Sequence, residues 1–515
     1  MRETSNYVSV SDPAQFSIGK PRVITDRLLY ESSPAISPLT QSEDAQMARR
    51  TGRLRTAALA ALTGVAAGAT GLVAMPAQAA PRVPARPGDF NGDGKRDLAL
   101  GSPFGTDSGA DRAGFVTVVY GGASGPDSAE RQAISQAGPG VPGSSEEGDG
   151  FGGSLASADF DLDGYADLAV VADGEDYQGP LDSGRITLIY GGANGLSSRA
   201  VVFGKGAHTV SAGDFDHDGK PDLAAGGAGT FSLYRNLASG DLNGTTIKVG
   251  QGEGESYDVS TTAGDFTGDG YTDLAYGIVW PAIDGDGVFL RLNVYKGSTD
   301  GLTATPAFTN DKVSTGSLAA GDVNGDGKAD LVVGADTSSG GEVRVYTGTA
   351  AGLGAFTVVD QDTDGVPGTE EPGDRFGASV AAADVNGDGK ADVAVGAPRE
   401  TVGTTESAGA ATVLYGSSDG LTGANAQQFG EGTAGVPGSV EKNDYFGSQV
   451  SLADLNGDGK ADLTVGSGGE NISEGAVYML NGTASGVTTT GIKAFSSATL
   501  GVSGRLAHIG DVVLP

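Results

Sequence analysis

Carboxylates crowd seven short stretches of this 515-residue chain at the same odd offsets, Asp-x-Asn/Asp-x-Asp-Gly-x-x-Asp, interrupted once by Thr. So many like charges within nine residues repel one another unless a hard cation takes their oxygens as ligands, and calcium is the cation that suits an all-oxygen donor set. In the copy that begins at Asp384, the side chains of Asp384, Asn386, Asp388 and Asp392 stand at positions 1, 3, 5 and 9 and can turn inward. Gly389 at position 6 permits the bend, and the carbonyl of Lys390 at position 7 offers a further oxygen. The spacing follows the logic of an EF-hand loop. No bidentate Glu stands at position 12, however, and the apolar Val393-Ala-Val395 that follows reads as strand rather than amphipathic helix.

The same roles fall on Asp89, Asn91, Asp93, Lys95 and Asp97, and on Asp159, Asp161, Asp163, Tyr165 and Asp167. They recur at Asp214, Asp216, Asp218, Lys220 and Asp222, then at Asp322, Asn324, Asp326, Lys328 and Asp330, and last at Asp454, Asn456, Asp458, Lys460 and Asp462. The fourth copy, Asp265, Thr267, Asp269, Tyr271 and Asp273, places a neutral hydroxyl at position 3 and is expected to be the weakest site. Up to seven calcium ions are therefore expected. A single Asp-Gly run would be as well explained by a turn closed with Asx hydrogen bonds; seven in one register are not.

The elements that must hold these loops follow from their spacing. Successive loops start 70, 55, 51, 57, 62 and 70 residues apart, a mean of about 61 and the size of a propeller blade. About 20 to 25 residues after each loop, an alternating apolar run ends in an aromatic residue and often Gly, as in Gly114-Phe-Val-Thr-Val-Val-Tyr120-Gly121 and Gly409-Ala-Ala-Thr-Val-Leu-Tyr415-Gly416. A Gly-Leu turn and a further β-like stretch come next, for example at Gly420-Leu421. With the strands flanking the acidic loop, each repeat has four strands, and helix is expected to be scarce among 88 glycines. Three repeats open with Phe-Gly, at Phe151, Phe376 and Phe446, each eight residues before its loop. They share an approach in which Glu146 and Asp149, Glu371 and Asp374, and Glu441 and Asp444 are in register, and these acids are expected to hydrogen-bond within the connection between blades.

Phe-Gly openers, the acidic loop with its following Leu or Val, and Gly396-Ala397-Pro398 together resemble the FG-GAP repeats of the integrin α-subunit. The resemblance covers about residues 89 to 515 and implies an all-β, seven-bladed β-propeller with partner-binding loops on the face away from calcium. Phe-Gly is missing from the third, fourth and fifth repeats. Because Pro81, Pro84 and Pro87 rule out a central strand before the first loop, the ring must be closed by the carboxy-terminal tail. Aligning Ser503-Gly504 with Phe446-Gly447 makes that tail the inner strand of the first blade.

Upstream, Arg49-Arg50 and Arg53, an Ala-rich apolar run from Ala57 to Met75, and Ala77-Gln78-Ala79 form the three parts of a secretory signal peptide over residues 47 to 79. A membrane anchor is the alternative, but the run is only weakly hydrophobic. Thr51 and Gly52 after the arginine pair favour the general secretory route over the twin-arginine one. Residues 1 to 46 are read as a disordered extension or a misplaced start, and 80 to 515 as the propeller. The chain has no cysteine, so neither disulfides nor thiolate chemistry exist, and metal would supply the cross-linking instead.

A formal charge of -33 excludes nucleic acid and anionic membrane as partners. The loops hold 23 of the 65 acidic residues, so much of this acidity belongs to metal chemistry. The three histidines, His208, His217 and His508, lie in no nucleophile or zinc motif, and no catalytic residue can be named. A monomeric, extracellular adhesion or recognition module for a protein or glycan ligand is the expected function. A lectin and a polysaccharide- or lipid-active enzyme are the alternatives, although one Trp and 6% aromatics give a lectin few stacking platforms.

Overall fold

Short runs rich in Val, Leu and Ala, punctuated by Gly, cannot cover both of their faces alone, and here each set of four is covered by its neighbours. A computed structural model describes residues 84–176, 184–227, 229–249, 258–281, 288–335, 337, 339–502 and 507–514. The expected extension and signal peptide lie outside the described residues. Within the described residues are seven four-stranded antiparallel sheets, which form a seven-bladed β-propeller. In blade 2 the strands run outward as Ser154–Ala158, Asp167–Ala172, Arg185–Ile189 and Ala200–Phe203. The inner strands of blades 3 to 7 are Thr209–Gly213, Asp258–Gly264, Ser317–Gly321, Ser379–Ala383 and Phe446–Ala453. Each packs beside the next around the ring. They enclose an axial cavity of about 470 Å³ lined by Ser154, Thr209, Thr261, Ser317 and Gln449 among others.

Burial falls from the axis to the rim. All six residues of Asp392–Ala397, the second strand of blade 6, are buried, whereas its outermost strand, Gly420–Phe429, is half exposed. The apolar cores lie between blades rather than within them. One such core joins Val385, Ala394 and Val413 of blade 6 to Phe446, Leu463 and Tyr478 of blade 7.

Blade 1 consists of Val512–Val513, Leu98–Ser102, Phe115–Val119 and Arg131–Ile134, in that order from the axis. The tail therefore closes the ring, with Val512 opposite Gly101 and Val513 opposite Leu100. Its register differs from the expected one by six residues. Ile509-Gly510 takes the Phe-Gly place expected for Ser503-Gly504, which lie outside the described residues: Ile509 bridges Gly475 in parallel just as Phe446 bridges Gly409 and Phe151 bridges Gly114. A one-turn helix, Ser497–Leu500, whose Ser496 and Thr499 form a capping box, follows the outermost strand of blade 7 and precedes the closing segment.

Where Phe-Gly is absent, other residues do its packing. His208 donates its backbone N–H to Gly226 O at 2.8 Å, as Gly377 does to Gly396 O at 3.0 Å, so Ala207-His208 fills the place in blade 3. In blade 5, buried Thr315 lies where a Cβ on Gly277 would meet its hydroxyl at 2.4 Å. Helical segments among the described residues are limited to Leu237–Ser239, Glu470–Ser473 and Ser497–Leu500, and none is long and apolar enough to cross a membrane.

Candidate metal centre

Each acidic loop joins the inner strand of a blade to its second strand, so all seven lie on one face of the propeller; in blade 1 it leads from the segment before Leu98. Position 2 of every loop is apolar and buried: Phe90, Phe160, Phe215, Phe266, Val323, Val385 and Leu455. This plug drops into the interblade core and forces the flanking carboxylates outward. The sequence carries the signal, an apolar residue between the position 1 Asp and the polar residue at position 3 of every loop.

Hydrogen bonds shape the donor set before any ion is considered. In the loop of blade 6, Asp384 Oδ1 accepts the N–H of Gly387 at 2.6 Å and of Asp388 at 3.2 Å, and Oδ2 accepts that of Gly389 at 2.8 Å. Asn386 Oδ1 accepts from Asp388 N at 2.9 Å, and Asp388 Oδ1 accepts from Lys390 N at 2.9 Å. The same ladder recurs from Asp89 through Lys95 and from Asp322 through Lys328. It is repeated from Asp454 through Lys460. Positions 1, 3 and 5 are thus fixed by Asx bonds whose remaining lone pairs stay available.

Position 9 has a second task. Asp392 is fully buried; its Oδ2 accepts Val385 N–H and its Oδ1 accepts Gly416 N–H, both at 3.0 Å. Asp97, Asp167 and Asp462 clasp the same two backbone positions in their blades. Two backbone bonds leave a carboxylate about two of its four lone-pair directions for a cation. The glycine at the end of the third strand is required here. A Cβ on Gly416 would lie 2.4 Å from Ala391 O and 2.6 Å from Val323 O, where the loops of two blades meet. The aromatic-then-Gly signal in the sequence marks this contact.

The loops are also tied to one another. Position 8 N–H donates to the position 1 carbonyl of the preceding loop: Ala166 to Asp89 at 2.9 Å, Ala329 to Asp265 at 2.9 Å, Ala391 to Asp322 at 2.7 Å and Ala461 to Asp384 at 2.8 Å. Pro221 at position 8 of the third loop has no N–H, so that link between blades 2 and 3 cannot form.

Charge within the loops is only partly compensated by the chain's own cations. Burial first, and then the neighbouring loop carboxylates, push Asp167 up to about 8 and Asp222 to about 7. Burial likewise raises Asp97 to about 7 and Asp273, Asp392 and Asp462 to about 6, against backbone hydrogen bonds that lower them. Asp330 is raised from the same cause. Oxygens of Asp159, Asp161 and Asp167, and of Asp214, Asp216 and Asp218, lie within 4.8 Å of one another in the two all-Asp loops. This hard-oxygen donor set fits calcium. Some positive charge is supplied locally: Arg199 reaches Asp161 at 2.6 Å while stacking on Tyr190, and Arg235 reaches Asp216 at 3.1 Å. In the fourth loop Lys296 Nζ lies 3.2 Å from Asp269, and Thr267 Oγ1 only 3.5 Å from Asp265. Lys328, Lys390 and Lys460 at position 7 lean back towards the position 5 carboxylate at 3.3, 3.7 and 3.9 Å. Lys220 pairs with Asp218 in the same way.

The expectation for the approach segments also holds for their aspartates. Asp149, Asp374 and Asp444 are buried and accept the backbone N–H of Glu146, Glu371 and Glu441 at 2.7, 2.9 and 2.6 Å. The histidines are scattered: His208 lines the axial cavity, His217 packs on Tyr271, and His508 Nδ1 lies 3.2 Å from Asp511.

Fold and loops together define a seven-bladed propeller with acidic turns on one face. Residues 86–119, 151–189, 314–351, 376–414 and 446–480 match the FG-GAP repeat, and residues 214–276 match an FG-GAP-like repeat. The chain is an FG-GAP propeller of the integrin α-like kind. It is 32% identical over 160 residues to phosphatidylinositol-glycan-specific phospholipase D of Rattus norvegicus, covering 29% of this chain and 18% of that protein. To integrin alpha pat-2 of Caenorhabditis briggsae it is 32% identical over 237 residues, covering 40% of this chain and 17% of that one. The chain thus spans less than a fifth of either relative. Among solved structures, a protein from Lactobacillus plantarum aligns over 78% of this chain and 99% of its own at 13% identity with a TM-score of 0.40, too loose a likeness to bear on the site.

Proposed function

We propose that this protein is a secreted, calcium-binding propeller that serves as an extracellular adhesion or recognition module. The observation that carries the reading is the repeated oxygen cradle, in which burial first, and the charge of neighbouring loop carboxylates after it, hold the position 9 aspartates above the ordinary carboxylate range. Calcium in each loop would neutralise that charge and lock the position 1, 3 and 5 oxygens already set by Asx bonds. Because position 8 of one loop bonds position 1 of the loop before, an ion in one blade stiffens its neighbour. The ring then becomes a rigid platform, and recognition falls to the opposite face, where the repeats differ. Similarity to integrin alpha pat-2 supports an adhesive role for a protein or glycan ligand. The second reading, a lipid-active enzyme, rests on the similarity to the phospholipase D.

Binding of the purified full chain to matrix-coated surfaces and to a glycan array, each with calcium and with chelator, tests the proposal. Calcium-dependent retention on one of them is the expected result. Retention that chelator leaves unchanged, or hydrolysis of glycosylphosphatidylinositol anchors without any stable binding, would replace it with the second reading or none.

A further inference from the structure

The same buried polar pocket recurs at three blade junctions on the face away from the acidic loops, and one of the three carries Glu where its sisters carry Gln. Each pocket is built from a residue after the outermost strand of one blade, an Asp 13 residues later in the connection, and a Glu 39 residues later in the turn after the second strand of the next blade. That turn lies beyond the far end of a six-residue strand such as Asp462–Ser467, roughly 17 Å from where the loop ends.

Between blades 1 and 2 the trio is Gln136, Asp149 and Glu175, and Gln136 Nε2 donates to Glu175 Oε2. Between blades 5 and 6 it is Gln361, Asp374 and Glu400, and Gln361 Nε2 donates to Glu400 Oε2 at 2.6 Å. In both, an amide N–H satisfies the glutamate. Between blades 6 and 7 the first residue is Glu431, with Asp444 and Glu470. Backbone geometry confirms the equivalence, since the carbonyls of Asp149, Asp374 and Asp444 accept from Gly174, Arg399 and Gly469 at 3.0, 3.2 and 3.0 Å.

In this third pocket the donor is gone. Oxygens of Glu431, Asp444 and Glu470 lie within 4.8 Å of one another, and Glu431, only 8% exposed, has Oε2 without a hydrogen-bond partner. Glu470 Oε2, the atom that takes the amide in both sisters, is also buried and partnerless. The sister glutamines leave their own Oε1 without a partner, so the orphaned Glu470 oxygen and the extra negative charge are what set this pocket apart. Tyr478 donates to Glu431 Oε1 at 2.6 Å, whereas Thr187 and Thr412 stand at its place in the sister blades. That phenol holds Glu431 pointing inward and leaves Oε2 facing Glu470.

We infer that Glu431, Asp444 and Glu470 form a cation site separate from the acidic loops, which takes a hard divalent ion of the calcium class and pins the blade 6 to blade 7 connection to the turn of blade 7. Three carboxylates around an ion that prefers six to eight oxygens leave room for water or for an acidic group of a bound partner. The site lies on the face where recognition is proposed, but its existence does not depend on that reading or on the occupancy of the loops.

Native mass spectrometry of the full chain, titrated with calcium alone, decides the matter. Glu431→Gln rebuilds the sister pocket and is expected to remain folded and to bind one ion fewer than the wild type, whatever number the loops hold. The reciprocal Gln361→Glu is expected to bind one ion more. A Glu431→Gln protein with the wild-type count would overturn the inference and leave a shared proton between the two glutamates. Should Glu431→Gln fail to fold, an unchanged count in Gln361→Glu would overturn it equally. Loss of all ions from the wild type, by contrast, would count against the loops as well.

Discussion

Truncating the tail at residue 508 removes the residues that close the ring, and the structure sets the expected cost. Ile509 and Val513 are almost fully buried and Leu514 nearly so, in cores shared with blades 1, 2 and 7. At about 1.5–3 kcal/mol for each buried aliphatic side chain, their loss amounts to about 5–9 kcal/mol. The deletion also removes Leu514 N–H to Ala99 O at 3.0 Å and Ser451 Oγ to Leu514 O at 3.1 Å, and it opens the edge of strand Leu98–Ser102. That total rivals the entire stability of an ordinary domain, about 5–15 kcal/mol, so the truncated chain should not persist as a folded monomer. A graded series makes the test quantitative. Ile509→Ala should cost about 2–5 kcal/mol and Val513→Ala somewhat less, because Val has one methylene fewer to lose from the same core. Urea unfolding in saturating calcium, followed by far-UV dichroism with size-exclusion chromatography alongside, gives both quantities. A truncated chain that elutes as a compact monomer with a midpoint near that of the full chain would refute ring closure by this tail.

Gly416→Ala should lower the unfolding free energy measured in urea by about 1–3 kcal/mol or more, since both atoms its Cβ would meet within 3 Å are backbone carbonyls that cannot step aside. Thr267→Asp should raise the calcium affinity of the fourth loop, and an isothermal titration with an unchanged low-affinity phase would argue that Lys296, not the hydroxyl, limits that site. In chelator, the position 9 aspartates have folded values raised above the unfolded 3.8, so the folded state holds more protons and stability should increase as pH falls from about 8 towards 5. In saturating calcium the same carboxylates must be ionised to bind, and the slope should reverse; melting curves at four or five pH values in each condition read both signs.

Much of this was legible in the sequence because the repeat supplied its own controls. The nine-residue loops, the four-strand blade and closure by the tail could all be read from spacing. The register of the tail could not. Nothing in residues 497 to 510 announces that Ser496 and Thr499 cap a turn of helix and shift the closing contact to Ile509-Gly510, a pair without the aromatic ring that marks Phe446-Gly447. The position 9 aspartates looked like simple ligands, since their bonds to Val385 and Gly416 N–H depend on a third strand 24 residues away. The Glu431, Asp444 and Glu470 trio was missed for the opposite reason. Asp444 was seen in register with Asp149 and Asp374, but its partners lie 13 residues before it and 26 after, in connections that resemble turns. Only the fold shows that Glu431 stands where the other two blades carry Gln.

The central claim, that the seven loops are cation sites fastening the propeller, is tested most directly by thermal unfolding of the full chain in excess calcium and in excess chelator at pH 7.5. The account predicts a large fall in melting temperature on chelation, restored by adding calcium back, because ions bound only by the folded state contribute directly to its stability. Superimposable melting curves in the two conditions would contradict it.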